Sequence, residues 1–369
     1  MDINNLSFNR KQHKEFVKVL HQRVNAFFRN NNRTRYANAE MVLKTIVVLS
    51  MLFVPYFLMV FQVVTNIWAV FACWILIGLG TSAVGFSVMH DANHGSYSRN
   101  KTVNFILGRI IYFIGGNPVS WQIQHNVLHH AFTNVDGMDE DIDAGKILRF
   151  SPNQEYHKFH RFQHIYAWFL YGLMTHMWIT TKDFKQITRY KNNGLLEKHG
   201  RTYAGAMAEL IITKAVYFIY LLVIPLLTVP IAWYWTVLFF LIMHFIVGLT
   251  LSLVFQTAHV MEHTEFPEPD QAGQFENNWA IHQLRTTMNF APKSRIFAWF
   301  IGGLNYQVEH HLFPNICHIH YPKLSKIVQQ TAEEFGLPYY TKKTFVSALA
   351  EHARMLRQLG QPPMQQSPA

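Results

Sequence analysis

Two pairs of long apolar segments constrain what this chain can fold into. Residues 45–64 and 67–89 carry no charge and are separated by a very short polar link. Residues 210–229 and 231–255 form a second pair around a proline, with Lys214 as their one charge. Each segment reaches roughly the 20 residues that a membrane-spanning helix needs. We therefore predict an all-α membrane protein with four transmembrane helices in two hairpins.

The distribution of charge gives the predicted spans an orientation. Charged residues make up only 15% of the chain, against about 25% in soluble proteins. Lys and Arg are frequent in residues 1–40, in the central segment 90–209 and in the tail, whereas the two hairpin turns have none. The positive-inside rule places the basic segments in the cytoplasm. The net charge of +10 then reflects membrane orientation, and no nucleic-acid partner is predicted.

The chain divides into three predicted parts. Residues 1–40 form a cytoplasmic N-terminal segment, residues 41–345 the main domain, and residues 346–369 a C-terminal helix and a disordered tail. Two shorter apolar stretches, 104–116 and 165–181, suit helices lying in the membrane interface, so the cytoplasmic side should carry a helical cap.

Histidine clusters fall at the cytoplasmic ends of the second and fourth spans, in the central segment and in the tail. Histidines four residues apart lie on one face of a helix, and neutral imidazole suits iron, zinc and copper. There are too many for one four-coordinate zinc ion, so the pattern predicts two metal ions. The candidate ligands are His90, His94, His125, His129, His130, His259, His310 and His311.

The spacings HxxxH, HxxxHH and QxxHH resemble the histidine boxes of the integral-membrane fatty acid desaturases, a non-haem di-iron family. The segments WAIHQLRTTMNF (279–290) and NYQVEHHLFP (305–314) are similar to front-end and bacterial acyl-CoA (linoleoyl-CoA-type) desaturases. The resemblance covers about residues 41–340. It implies two iron ions in the helical cap, held by these histidines. Gln307 would be a further ligand, hold a water molecule, or hydrogen-bond a ligand.

The resemblance also implies an activity. It would be O2-dependent introduction of a cis double bond into a fatty acyl chain carried on CoA or a lipid, and Gln307 favours front-end (Δ5/Δ6-type) regiochemistry. The sequence contains no HPGG haem motif, so a separate electron donor of ferredoxin or cytochrome b5 type is expected. The expected location is a bacterial inner membrane rather than the endoplasmic reticulum, with both termini and the active site cytoplasmic.

Other functions fit the pattern less well. A membrane di-iron fatty acid or lipid hydroxylase or ketolase would share the boxes and is the alternative. A receptor or metal transporter would need histidines near the bilayer midplane, where only His244 clearly falls. A zinc hydrolase would need an HExxH helix, which the sequence lacks.

Polar residues close to the boxes are candidates to orient the ligand imidazoles. These are Asp91, Glu309 and His282; for the two carboxylates, simple solvation is the alternative. The acidic run 139–143 lacks the Gly and Glu of a calcium loop, so it is predicted to be structural or to orient ligands. Interfacial, packing or structural roles are predicted for His157, His160, His164, His176, His244, His318 and His320.

Overall fold

The computed structural model describes residues 3–362, apart from the side chain of Asn4. Four of its helices are long and apolar enough to cross a membrane. We call them spans 1 to 4: Ala39–Val60, Ile67–Asn93, Tyr203–Thr228 and Trp233–His259. They confirm the predicted all-α membrane fold. The predicted disordered tail falls largely on residues 363–369, outside the described residues.

Capping side chains explain why two spans begin before their predicted starts. The Asn38 side chain accepts a hydrogen bond from Met41 N at 3.0 Å, so span 1 begins in the polar residues ahead of the apolar run. Thr202 caps span 3 in the same way, accepting from Gly205 N at 3.2 Å. Such caps satisfy amide groups that the first turn of a helix leaves without a partner.

Span 4 is the centre of the bundle. It packs against span 2 and against the helix Gln163–Met177, and spans 1 and 2 pack together as a hairpin. A Cβ atom on Gly248 of span 4 would lie 2.6 Å from the Gly172 carbonyl oxygen. The two helix backbones therefore touch at this crossing, as small residues allow between packed membrane helices.

The remaining elements are short helices and strands. Outside the spans, the α-helices are Lys14–Asn30, Lys101–Gly108, Pro118–Trp121, Gln163–Met177, Asp183–Asn192, Leu195–Lys198, Trp279–Thr286, Arg295–Phe300, Gln307–Leu312, Tyr321–Glu334 and Phe345–Leu359. Within residues 3–362, the 3-10 turns are Ile3–Asn5, Arg109–Ile114, Lys158–Phe162 and His318–His320. π-Helical turns occur at Val84–Val88, Gln122–His129, Trp178–Lys182 and Ile219–Val223.

Two short parallel strand pairs tie distant parts of the chain together. Ser7–Phe8 pairs with Gln274–Phe275, and Asn289–Phe290 pairs with Thr341–Lys342. The Phe8 ring stacks on Phe275 at a centroid distance of 4.8 Å and meets the His282 ring edge-on at 5.1 Å. The N-terminal strand is thereby fixed to the segment that follows span 4.

The two stretches expected in the membrane interface are helical but interrupted. The first is the helix Lys101–Gly108 followed by the 3-10 turn Arg109–Ile114. The second is Gln163–Met177, which continues into a π-helical turn. Both leave large apolar side chains exposed, among them Phe105, Ile106, Ile165 and Phe169.

The C-terminal helix Phe345–Leu359 packs against the end of span 4. Its His352 is fully buried, and Nε2 lies 2.7 Å from the Tyr171 hydroxyl. Nδ1 lies 2.8 Å from the carbonyl oxygen of Val260. Val260 directly follows the last residue of span 4, so this hydrogen bond anchors the C-terminal helix at the end of the span.

Candidate metal centre

The local structure around the histidine boxes begins with span 2. The π-helical turn Val84–Val88 ends two residues before His90. The segment just before the third box, Gln307–Leu312, packs against this turn at Gly302. Gly302, just before the third box, has φ +63°, and a Cβ there would overlap the Phe86 carbonyl oxygen. Only glycine accommodates both the left-handed backbone and this close approach.

The second box lies on a helix that changes pitch. Asn117 caps the helix, with its side chain accepting from Val119 N at 2.9 Å and from Ser120 N at 3.0 Å. The helix then widens into the π-helical turn Gln122–His129, which carries two of the box histidines. π-Helical turns inside α-helices are frequent at functional sites.

Five imidazoles form the first histidine set: His90, His94, His125, His130 and His310. Ligand nitrogens of all except His130 lie within 4.8 Å of one another. The His130 Nε2 atom is 3.2 Å from His125 Nε2 and 3.0 Å from His310 Nε2. His90 Nε2 is 3.1 Å from His125 Nε2. The five nitrogens therefore converge on one point.

The second histidine set consists of His129, His259 and His311. Their ligand nitrogens also lie within 4.8 Å of one another. Each Nε2 atom is buried and has no hydrogen-bond partner among residues 3–362. His130 lies beside this set as well, because its ligand nitrogen is within 4.8 Å of those of His310 and His311.

These distances fit metal coordination. Metal–imidazole bonds of about 2.1 Å at right angles place two nitrogens about 3.0 Å apart, which is close to the separations in the first set. In the second set, three buried nitrogens without partners would each carry a desolvation cost that a cation removes. The residues present therefore fit metal ions at both sets.

Burial keeps most of these imidazoles neutral and able to donate a lone pair. Desolvation, with further lowering from neighbouring imidazoles, shifts the pKa well below its ordinary value for His94, His125, His130, His310 and His311. Four of these five rings are buried and His94 is partly buried, which limits the access of water to the site.

His129 is different because it faces carboxylates. Burial alone would lower its pKa, but the charges of Asp139 and Asp141 outweigh this and raise the pKa to about 9. Its Nδ1 lies 3.0 Å from Asp139 Oδ1 and 3.5 Å from Asp141 Oδ2. Asp139 is buried and positioned to hold the Nδ1 proton, so Nε2 is the nitrogen that would release its proton on binding a cation.

Comparison with known proteins agrees with this geometry. The family model described as fatty acid desaturase matches residues 65–343. The chain belongs to the fatty acid desaturase family. It is therefore an oxidoreductase, as predicted.

Relatives of this desaturase match over nearly its whole length. A protein named sn-1 linoleoyl-lipid 6-desaturase from Arthrospira platensis is 38% identical over 348 residues, 93% of this chain and 92% of the relative. One of the same name from Synechocystis sp. is 36% identical over 95% and 96% of the two chains. An acyl-lipid (8-3)-desaturase from Physcomitrium patens is 33% identical over 96% of this chain and 74% of the relative.

The three residues predicted to orient ligands have different surroundings in the desaturase. Asp91 is 4.0 Å from His90 Nδ1, and its Oδ2 instead accepts from His318 Nδ1 at 2.8 Å and Cys317 Sγ at 3.0 Å. His282 Nε2 lies 2.9 Å from the Thr133 carbonyl oxygen. None of these four contacts is a short hydrogen bond to a box histidine.

Glu309 acts on the third box through its helix. The buried carboxylate accepts from Asn289 Nδ2 at 2.8 Å and from the Tyr339 hydroxyl at 3.0 Å. Asn289 Oδ1 in turn accepts from Val308 N at 2.9 Å. Burial raises the pKa of Glu309 to about 8, although these hydrogen bonds lower it in part. Gln307 is also buried, and its Nε2 has no partner within the described part of the chain.

Several residues that contact histidines in or near the two sets were not predicted from the sequence. Gln283 Oε1 lies 2.8 Å from His311 Nδ1, and the Thr286 carbonyl oxygen lies 3.2 Å from His259 Nδ1. Both residues lie in the segment 279–290, in which the sequence indicated only His282 as a candidate. Lys44 was also missed: its Nζ is buried 2.8 Å from His318 Nε2. No local pattern marks these residues, because their partners are distant in sequence.

The other histidines of the desaturase take part in packing and hydrogen bonding. His160 Nε2 lies 2.9 Å from the Lys146 carbonyl oxygen. His244 Nε2 lies 2.8 Å from the Tyr217 hydroxyl, and His176 contacts the His244 ring. His263 is exposed and stacks on Tyr340 at 5.8 Å, outside both histidine sets.

Proposed function

We propose that the protein is a front-end acyl-lipid desaturase that uses O2 and two iron ions. One double bond would be introduced between an existing double bond and the carboxyl end of the acyl chain. Atoms and electrons balance as two C–H bonds broken, one C=C bond formed, and O2 reduced to two water molecules with two further electrons and two protons. The observation that carries the proposal is the convergence of eight histidines, seven of them buried, into two sets.

The metal proposal follows from the donor type. Iron held at both sets would supply the oxidation of an unactivated methylene by O2, which no side chain can perform. The eight histidines are proposed as its ligands, with Gln307, the first residue of the third box, as a further candidate. The burial of most of these residues limits the access of water and so protects the reaction from side reactions.

The regiochemistry and the lipid substrate are proposed by analogy with the relatives. Two of them are named sn-1 linoleoyl-lipid 6-desaturases, and they cover almost the whole chain. The apolar faces of the spans and of the two interfacial stretches suit a substrate that remains in the bilayer. We further propose that a separate redox protein of ferredoxin or cytochrome b5 type supplies the electrons at a basic cytoplasmic face in a bacterial inner membrane.

Expression in a host that makes no Δ6 fatty acids tests this function. Cells would be supplied with linoleate or palmitate, and their lipids would be separated by class before analysis. We expect a new double bond at carbon 6 of linoleoyl chains, appearing first in intact glycerolipids. A Δ9 double bond in palmitate alone would reject front-end chemistry, and a hydroxylated product would favour the hydroxylase alternative. Product appearing first in the CoA pool would reject the acyl-lipid assignment.

A further inference from the structure

In the second histidine set, the Nδ1 atom of each ring contacts an oxygen atom of a neighbouring residue. The Nδ1 atom of each ring, which faces away from the point where the Nε2 atoms converge, lies at hydrogen-bond distance from an acceptor. The three acceptors are a side-chain carboxylate, a main-chain carbonyl and a side-chain amide: Asp139, Thr286 and Gln283.

Hydrogen bonds from the backbone fix the position of the Asp139 carboxylate. Asp139 accepts from the backbone N–H of Asn134 at 2.8 Å and from that of Asp141 at 3.0 Å. Its side chain is fully buried. With its position fixed by the loop backbone, the Asp139 carboxylate can only face His129.

Hydrogen bonds also fix the orientation of the Gln283 side-chain amide. Gln283 Oε1 accepts from the Thr133 hydroxyl at 2.9 Å, and Gln283 Nε2 donates to the His130 carbonyl oxygen at 3.2 Å. These two contacts fix which end of the amide faces His311. The oxygen is turned to His311 Nδ1, so that ring donates its Nδ1 proton and presents Nε2 as a free donor atom.

In the first set, the Nδ1 atoms of three of the five rings have weak hydrogen-bond contacts or none. The Nδ1 atoms of His90 and His130 are buried with no hydrogen-bond partner in the described range 3–362. The nearest carboxylate to His90 Nδ1 is Asp91 at 4.0 Å. His310 Nδ1 meets only a hydroxyl, that of Tyr321, at 3.3 Å.

This difference bears directly on metal affinity. An acceptor on the outer nitrogen fixes the tautomer and ring orientation and makes the imidazole a stronger donor, and loss of such a partner typically weakens metal binding by about 10- to 100-fold. We infer that the two metal positions are unequal: the ion at the second histidine set is held tightly, and the ion at the first set exchanges readily. The inference rests on the two-iron function proposed above.

Iron release from the full-length, iron-loaded protein in detergent tests the inference. A chromogenic Fe(II) chelator would be added and release followed by absorbance. We expect a fast phase and a slow phase that each release one iron ion. Protein that has lost only the fast-released ion should show a single quadrupole doublet in its Mössbauer spectrum. Release of both ions in one phase would overturn the inequality. A protein that never takes up two irons would instead contradict the proposed function.

Two variants assign the slow phase to the second set. Asp139→Asn and Gln283→Leu should each speed the slow phase by about 10- to 100-fold and leave the fast phase unchanged. Asp143→Asn is the matched control, since Asp143 belongs to the same acidic run but is 53% exposed and contacts Arg189 instead. Acceleration of the fast phase alone, or of both phases equally, would overturn the assignment. If one variant fails to fold, the other and the unaltered protein still test the inference.

Discussion

At the scale of single residues, box spacing in the sequence identified the histidines that converge, and the structure brings all eight into two sets. What the sequence did not reveal is how the rings are held. In the sequence, Asp139 is one of several acidic residues in a run, and nothing marks out Gln283 beside its neighbour His282. The orienting contacts depend on tertiary geometry: Gln283 lies far in sequence from His311, and Lys44 lies still farther from His318.

Removing one ligand from each set should abolish activity. We expect His129→Ala and His310→Ala to lower desaturation by at least about 100-fold and to reduce bound iron, because each variant removes a buried metal donor. Iron analysis and product chromatography of the same preparations provide the measurement. His263→Ala is the control, and it should keep both iron and activity. Full activity in either ligand variant would contradict the ligand assignment.

A buried charged network should contribute strongly to stability. Lys44, buried in span 1, donates to His318 Nε2, and His318 donates from Nδ1 to the Asp91 carboxylate. Lys44→Met leaves that carboxylate without its balancing cation, and breaking a buried charge network in this way costs about 3 kcal/mol or more. We expect a clear fall in the unfolding temperature in detergent. Lys323→Met, at an exposed position, should leave it unchanged; equal temperatures for both variants would refute the role of the network.

At the scale of elements, apolar length predicted the four spans but not their ends. Asn38 and Thr202 move two starts into polar sequence because their side chains satisfy the first amides. The π-helical turns before His90 and within the second box have no sequence signature comparable to a cap, since they depend on what packs against the helix. The predicted C-terminal helix is present at Phe345–Leu359.

The contact between the third box and span 2 should depend on one glycine. Gly302→Ala combines a left-handed φ, which costs roughly 1–2 kcal/mol for other residues, with overlap of the Phe86 carbonyl oxygen. We expect both the unfolding temperature and the iron content to fall. Gly336→Ala is a matched control, because its φ is +65° but nothing lies within 4 Å of the added Cβ. It should lose some stability and keep its iron; similar iron loss in both would contradict the packing argument.

At the scale of the whole molecule, the histidine sets lie around the ends of spans 2 and 4, and an even number of membrane crossings would return the chain to its starting side. Charge distribution predicts which side this is, since the basic segments flank the site and the hairpin turns lack charge. The fold class followed from composition and from the length of the apolar segments. The two strand pairs, Ser7–Phe8 with Gln274–Phe275 and Asn289–Phe290 with Thr341–Lys342, could not be predicted, because two-residue strands carry no periodic signal.

Cysteine labelling would test the predicted orientation. Val63→Cys places a thiol in the turn between spans 1 and 2, where the native side chain is 70% exposed. Lys343→Cys places one on the cap, and the native Cys73 and Cys317 are both buried. In intact spheroplasts, a membrane-impermeant maleimide should label only the first variant. Labelling of the second variant alone would reverse the orientation.

The strand Ser7–Phe8 has a practical consequence for handling the protein. It joins Gln274–Phe275, and its Phe8 ring lies against His282, within the segment that also supplies Gln283 and Thr286. A purification tag or reporter fused directly before this strand would therefore strain a region that supports the second histidine set. Fusions made through a long flexible spacer should give preparations with higher iron content than those made without one.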